Sequence, residues 1–282
     1  MSATPTAGYS PADALPAQQD RPAGFGHILL AEWTKIRSVR STVWSLIIFL
    51  VLTVGLTYTF TAIDSHLWNS LPPGRRAVVL ADPAGVVLAA GVNFGQLAIC
   101  VLGVLIMSSE YSTGVIRASL LAVPRRFTML VAKVIVFGLL VIVIAELAAF
   151  ASFFIGSAVL HSHVSVSLSD PGVLRAVYGT GLYLTVLGLL ALAIGSIVRH
   201  TAGGIAIVLG LIIVLEPLSS LLPESWGAHI HAYLPTVAGR EITRAPQGGG
   251  QLLTAWQGFG VFCLWTVLVL AVAAVFLDKR DA

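Results

Sequence analysis

The sequence predicts an all-α membrane protein with six transmembrane helices, an N-terminal amphipathic helix before the first, and both termini on the cytoplasmic side. Three observations carry the prediction. Of 282 residues, 57% are hydrophobic and only 10% charged, too few to coat a water-soluble globule with polar surface. Six apolar runs match the ~20 helical residues that cross a hydrocarbon core. No strand-length stretch alternates in polarity, as a membrane β-barrel would require. The net charge of +3 comes from basic residues at the ends of apolar runs, a topology signal and not a nucleic-acid footprint.

Residues 1–24 hold Pro5, Pro11, Pro16 and Pro22 among small polar residues without an apolar period, which predicts a disordered cytoplasmic tail. They also lack the apolar core of a secretory signal. Residues 25–282 are expected to form one six-span domain. It begins with an amphipathic segment in which Phe25, Ile28, Leu29, Trp33 and Ile36 recur at helical spacing, while Glu32, Lys35, Arg37 and Arg40 make a charged side. That pattern predicts a helix in the membrane surface, with Glu32 and Lys35 paired at i,i+3.

The spans are expected at Val43–Ile63, Gly85–Ser108, Met129–Ala158, Arg175–Val198, Ala202–Leu222 and Gln257–Leu277. The third is over-long and should tilt, kink or project beyond the bilayer. With the N-terminus inside, eleven of the sixteen Lys and Arg residues fall on the inner side, which orients the bundle.

The inner loop at about 109–127 contains Glu110, Gly114, Arg117, Arg125 and Arg126. Ser112 or Thr113 can cap a compact helix there, with Val115, Ile116, Leu120 and Leu121 as its apolar side and Pro124 closing it or opening the next span. Glu110 lies near the negative end of the second span and needs a partner, which Arg117, Arg125 or Arg126 can supply.

Within the spans, Glu146 is an intramembrane acid that should face protein or a water-filled cavity. With Asn93 and Gln96 it is a candidate for lining a path. Gly91 and Gly95 make a G-x-x-x-G face suited to close helix approach. Cys100 and Cys263 read as small core residues, and His161/His163 and His229/His231 as loop histidines without a third metal ligand. The outer connection at about 223–256 carries Trp226, Tyr233 and Trp256 for the interface and a Gly248–Gly250 run for slack.

No phosphate-cradling G-x-x-x-x-G-K-[ST] loop, H-E-x-x-H or G-x-S-x-G motif is present. No catalytic or metal-ligating set is therefore assigned, and a driven process would require nucleotide hydrolysis in another chain. Ser196 and His200, spaced i,i+4, leave an intramembrane enzyme as an alternative, and a non-transporting membrane anchor or sensor as another.

The block Glu32-Trp-Thr-Lys35-Ile-Arg37-Ser-Val-Arg40 before the first span, with Glu110-Tyr-Ser-Thr-Gly114-Val-Ile-Arg117 and Pro124-Arg125-Arg126 after the second, resembles the permease subunits of bacterial type-two ABC exporters. The resemblance extends over about residues 25–280. It implies an N-terminal connecting helix holding Glu32, Lys35 and Arg37, and a coupling helix in the 109–127 loop holding Glu110, Gly114 and Arg117. It also implies a separate ABC ATPase subunit that binds ATP and magnesium, a second permease copy or similar chain, residence in the bacterial cytoplasmic membrane, and short, partly re-entrant helices in the outer connection.

Overall fold

The computed structural model describes residues 24–112, 114, 126–245 and 252–279, apart from the side chains of residues 224 and 225. Among these residues the regular structure is entirely helical. Six helices are long and apolar enough to cross a membrane: α2 (Arg40–His66), α4 (Pro83–Ser112), α5 (Arg126–Leu160), α6 (Val173–Val198), α7 (Thr201–Ser219) and α10 (Ala255–Lys279). Four shorter helices are α1 (Phe25–Ser38), α3 (Pro73–Ala81), α8 (Glu224–Ala232) and α9 (Pro235–Arg240). The end of the bundle that carries α1 is called here the α1 end, and the opposite one the far end.

The six spans fall where the apolar runs predict, each within a few residues at either end. α5 has 35 residues, about 50 Å of helix, longer than a bilayer core. Its first two turns carry Arg126 and Lys133 and belong to the α1 end. Helix α3 is an addition: Pro72 and Pro73 start a helix in a connection that lacks a long apolar period. α7 contains a π-helical turn at Leu211–Leu215, just before Pro217, where the missing N–H relaxes the ordinary ladder.

α4 and α6 form the centre, burying most of their apolar length, whereas α2, α5, α7 and α10 bury a third of theirs or less. The centre is tight because glycines lie at the crossing. A Cβ on Gly103 would stand 2.5 Å from the Gly188 carbonyl oxygen and 2.9 Å from the Ala191 Cβ. One on Gly195 would stand 3.0 Å from the Val104 carbonyl oxygen. In lipid no hydrophobic drive separates helix from tail, so close backbone approach supplies the contact energy.

The G-x-x-x-G face performs the same task against α2. A Cβ on Gly91 would lie 2.6 Å from Thr57 Oγ1, and one on Gly95 2.3 Å from Thr53 Oγ1. Thr53, Thr57 and Thr61 are buried along one side of α2, where their hydroxyls donate to the carbonyls of Phe49, Thr53 and Thr57, four residues back. Each polar group is thus satisfied within its own helix, as an apolar surrounding demands.

At the far end, α8 and α9 occupy the long connection. α9 buries Pro235, Thr236, Ala238 and Gly239 and packs on α6 and α10, with the Cβ position of Gly258 only 2.3 Å from the Ala238 carbonyl oxygen. Trp226, Tyr233 and Trp256 are half-exposed there, and the Gly248–Gly250 run lies outside the described residues.

Candidate functional site

The site grows from three helices that would otherwise have little reason to carry charge at their contact. α1 is amphipathic in sequence, yet it turns Glu32 inward with Ile28 and Ile36 and leaves Phe25, Leu30 and Trp33 exposed. α4 brings Glu110 to its last turn, and α5 brings Lys133 two turns in from its start. These side chains converge. Lys133 Nζ donates to Glu32 Oε2 and, at 2.7 Å, to Glu110 Oε1. Lys35 Nζ donates to Glu32 Oε1 at 2.7 Å and Glu110 Oε1 at 3.3 Å. Two carboxylates and two ammonium groups thus form a neutral cluster that joins α1, α4 and α5.

Three of the four are deeply buried: the side chains of Glu32 and Lys133 are each 2% exposed and that of Glu110 10%, while Lys35 is 32% exposed at the rim. Burial works against the Glu32 carboxylate, but Lys133 and Lys35 together outweigh it and hold its pKa below the ordinary 4.5. Burial likewise works against the Lys35 ammonium, and Glu32 and Glu110 outweigh it, holding its pKa above the ordinary 10.5. The Glu32 contribution is therefore complete above pH 4.5 and lost as pH falls through the depressed value. The Lys35 contribution is complete below pH 10.5 and lost as pH rises beyond it. Docking of α1 is expected to survive acidification to pH 4.5 and to loosen only below it; hydrogen exchange of the α1 amides, corrected for intrinsic pH dependence, measures this.

A cavity of about 400 Å³ adjoins the cluster, bounded by Ile36, Thr42, Leu102, Ile106 and Ser109 as well as the charged groups. Around it, the α1 end is tied by arginines. Arg126 donates to the Leu277 carbonyl at 2.8 Å and Arg199 to the Phe276 carbonyl at 3.3 Å, satisfying orphan acceptors at the C-terminus of α10. The Arg199 guanidinium lies 4.9 Å from the Tyr111 ring centre, and Ser108 and Thr201 are hydrogen-bonded at 2.9 Å.

Of the residues that sequence reasoning assigned to coupling, Glu110 and Arg126 therefore lie at the two helix ends that flank the 109–127 loop. The partners of Glu110 are Lys133 and Lys35, on α5 and α1, neither of which was named for it. Gly114 has a left-handed φ of 70° just past the end of α4, a conformation that costs glycine nothing. Arg117, Arg125 and the compact helix expected between them lie outside the described residues. Glu32 and Lys35 pair as expected; Arg37 is exposed.

The three polar residues of the spans are not brought together. Gln96 is buried and accepts from the Tyr183 hydroxyl at 3.0 Å and from Arg240 at 3.2 Å; Asn93 is exposed and lines a different cavity at the far end. Glu146 packs on the opposite side of α6, where a Cβ at Gly181 would stand 2.4 Å from its carboxyl carbon. One Glu146 oxygen is buried without a partner.

Lys133 and Arg240 are the additions to the sequence-derived site. Lys133 stands inside the apolar run Met129–Phe137, and an intramembrane lysine seeks a buried acid; which acid it meets depends on how α1 and α4 pack on α5. Arg240 offered no such signal, because its reach depends on α9 folding back into the bundle. His200 accepts the Gly203 N–H at 3.3 Å and caps α7, while Arg199, with φ 58°, ends α6 between Ser196 and His200. His163 stacks on Trp68 at 4.7 Å and His231 is 2.7 Å from Ser219 Oγ.

No protein-family model matches the sequence, and no curated protein matches it. Fold and site therefore define a class alone: a helical protein with six helices long and apolar enough to span a membrane and a four-charge cluster, three of its members buried, at one end.

Proposed function

We propose that this chain is the membrane-spanning subunit of an ATP-driven exporter of the type-two ABC kind, working with a separate ATPase. One observation supports this reading above the others: the cluster of Glu32, Lys35, Glu110 and Lys133 welds α1 to the two helices that enter and leave the 109–127 loop. A connection that merely reverses the chain needs no such joint. A lever does, because a push on the loop must move α4, α5 and α1 as one body before the bundle can rock.

A buried charge set is also an expensive way to stabilise a bundle, since well-packed apolar residues do as well or better. Its use here fits a requirement for fixed geometry at the loop. The excess of Lys and Arg at the α1 end supports a cytoplasmic location for both termini, on the side where ATP is available. The α1 segment then acts as the connecting helix and the loop as the coupling helix. ATP and magnesium belong to the partner ATPase.

Two copies, or this chain and a similar one, enclose the transport path in this reading. α2, α7 and α10 have the apolar exposed faces that lipid or a second bundle would cover. The host membrane is the bacterial cytoplasmic membrane.

Affinity purification of the tagged, detergent-solubilised chain tests the reading. It is expected to recover an ATP-binding-cassette subunit with ATPase activity, and Arg117→Glu in the loop should reduce that recovery. Recovery of the chain alone under gentle conditions would oppose the exporter reading and favour an anchor or sensor.

A further inference from the structure

α7 is two elements in one. Its first half, Thr201–Gly210, packs on α4 and α6, and Val208 and Ile212 are buried in the main core. Then come the π-helical turn Leu211–Leu215 and Pro217, which cannot donate into the helical ladder. Beyond them the chain turns back as α8, and the main neighbour of the α7 tip is α8 itself.

The tip and α8 hold together as one hairpin, Glu216–Ala232. Ser219 Oγ is 2.7 Å from His231 Nδ1, and a Cβ on Gly227 would stand 2.4 Å from the Leu222 Cβ. Among the described residues of the hairpin only Ser219 and Gly227 are buried, and these contacts lie within it; Leu218, Leu221, Trp226 and Ile230 are exposed. The chain changes character just beyond. Pro235, Thr236, Ala238 and Gly239 of α9 are buried against α6 and α10, and the Trp265 indole N–H donates to the Tyr233 carbonyl at 3.1 Å. The hairpin therefore lies between two fixed points, the π turn and Tyr233.

One side-chain contact ties it to the bundle. Among the described residues, the only hydrogen bond or ion pair between a hairpin side chain and the rest of the protein is that of Glu216 Oε1 with Arg240 Nη1, at 2.9 Å. Arg240 in turn reaches Gln96 of α4 through its other terminal nitrogen at 3.2 Å. The pair is incompletely satisfied, because Glu216 Oε2 and Arg240 Nε are both buried without a partner. Opening would hydrate both, which offsets part of the loss of the pair and narrows the gap between closed and open forms.

We propose that the Glu216–Ala232 hairpin is a flap that swings as one body about the π turn and Tyr233, latched by Glu216 on Arg240 and uncovering Arg240 when the latch opens. The device requires neither an ATPase nor transport. It stands or falls separately from the exporter reading.

Double electron–electron resonance on the full chain in nanodiscs tests it, in a Cys100→Ala, Cys263→Ala background diluted with unlabelled chain. One spin-label pair, Ala228→Cys with Ser165→Cys, runs from the hairpin to the α5–α6 connection. A control pair, Ala77→Cys with Ser165→Cys, avoids the hairpin; all three positions are exposed. With the latch intact the first pair is expected to give one narrow distance. Glu216→Gln, which keeps the shape and removes the charge, should add a second distance to the first pair and leave the control pair unchanged. Should Glu216→Gln fail to fold, Glu216→Asp, a carboxylate drawn back from Arg240, is expected to show a smaller population at the same second distance and decides. A single unchanged distance in the folded variant would overturn the proposal, as would a broad distribution already present with the latch intact. Equal broadening of the control pair would also overturn it, because the whole far end and not the hairpin would then be loose.

Discussion

Replacing Lys133 with methionine is expected to cost about 3–5 kcal/mol, as removal of one partner from a buried ion pair does. The shape of the side chain is largely kept, so the loss is electrostatic. Glu32 and Glu110 would be left facing each other with only Lys35, at the rim, between them. Their solvation cannot be restored, because α1 covers one and the α4–α5 contact the other. In a fold whose whole stability is of order 5–15 kcal/mol, this is a large fraction. Thermal inactivation in detergent should shift sharply downward and α1 should become the first site of limited proteolysis. The triple variant Lys133→Met, Glu32→Gln, Glu110→Gln should recover much of the loss, because the only charge then left without a partner is Lys35, which reaches solvent at the rim. Stability of Lys133→Met equal to that of the parent would show that the cluster is not a structural joint.

The second large effect is steric. Gly103→Ala places a methyl group 2.5 Å from the Gly188 carbonyl oxygen and 3.1 Å from the Leu192 backbone nitrogen, and backbone cannot swing aside as a side chain can. The central α4–α6 pair must separate, with a cost of about 1–3 kcal/mol or more for overpacking of a filled core. Gly103→Leu should abolish recovery of monodisperse protein altogether. Gly138→Ala is the control: its nearest neighbour is the flexible Leu189 side chain at 3.7 Å, and its stability should match the parent's. Chromatographic monodispersity after graded heating measures all three. Equal loss in Gly138→Ala would show that the crossing geometry is not what the glycines serve.

The spans were legible in the sequence because a bilayer imposes one simple demand: every long helix must be apolar over its thickness. Hence α2, α4, α5, α6, α7 and α10 lie where the apolar runs place them. The Gly91/Gly95 face was legible for a related reason, since its spacing places both glycines on one side of α4. Legibility failed where position depends on tertiary return. Lys133 stood unnamed among the basic residues that orient the bundle, although its depth within α5 marks it as paired. α3 was missed because it is too short for a strong period. Arg240 counted as a loop residue until α9 folded inward and brought it to Gln96, close to the midpoint of α4. Glu146 and Gln96 looked alike as intramembrane polar groups, yet α6 separates them; which face each occupies depends on helix rotation, which composition does not encode.

In the exporter reading, the loop between α4 and α5 receives force from an ATPase and passes it through the charge cluster. That reading is tested most directly by the ATPase rate of the copurified complex in nanodiscs, comparing the parent with Glu110→Gln, which keeps the side chain's size but removes its charge. The ATPase is expected still to copurify with Glu110→Gln while its hydrolysis rate becomes independent of the permease, matching that of the isolated ATPase subunit. A complex whose rate in Glu110→Gln equals the parent's would contradict it.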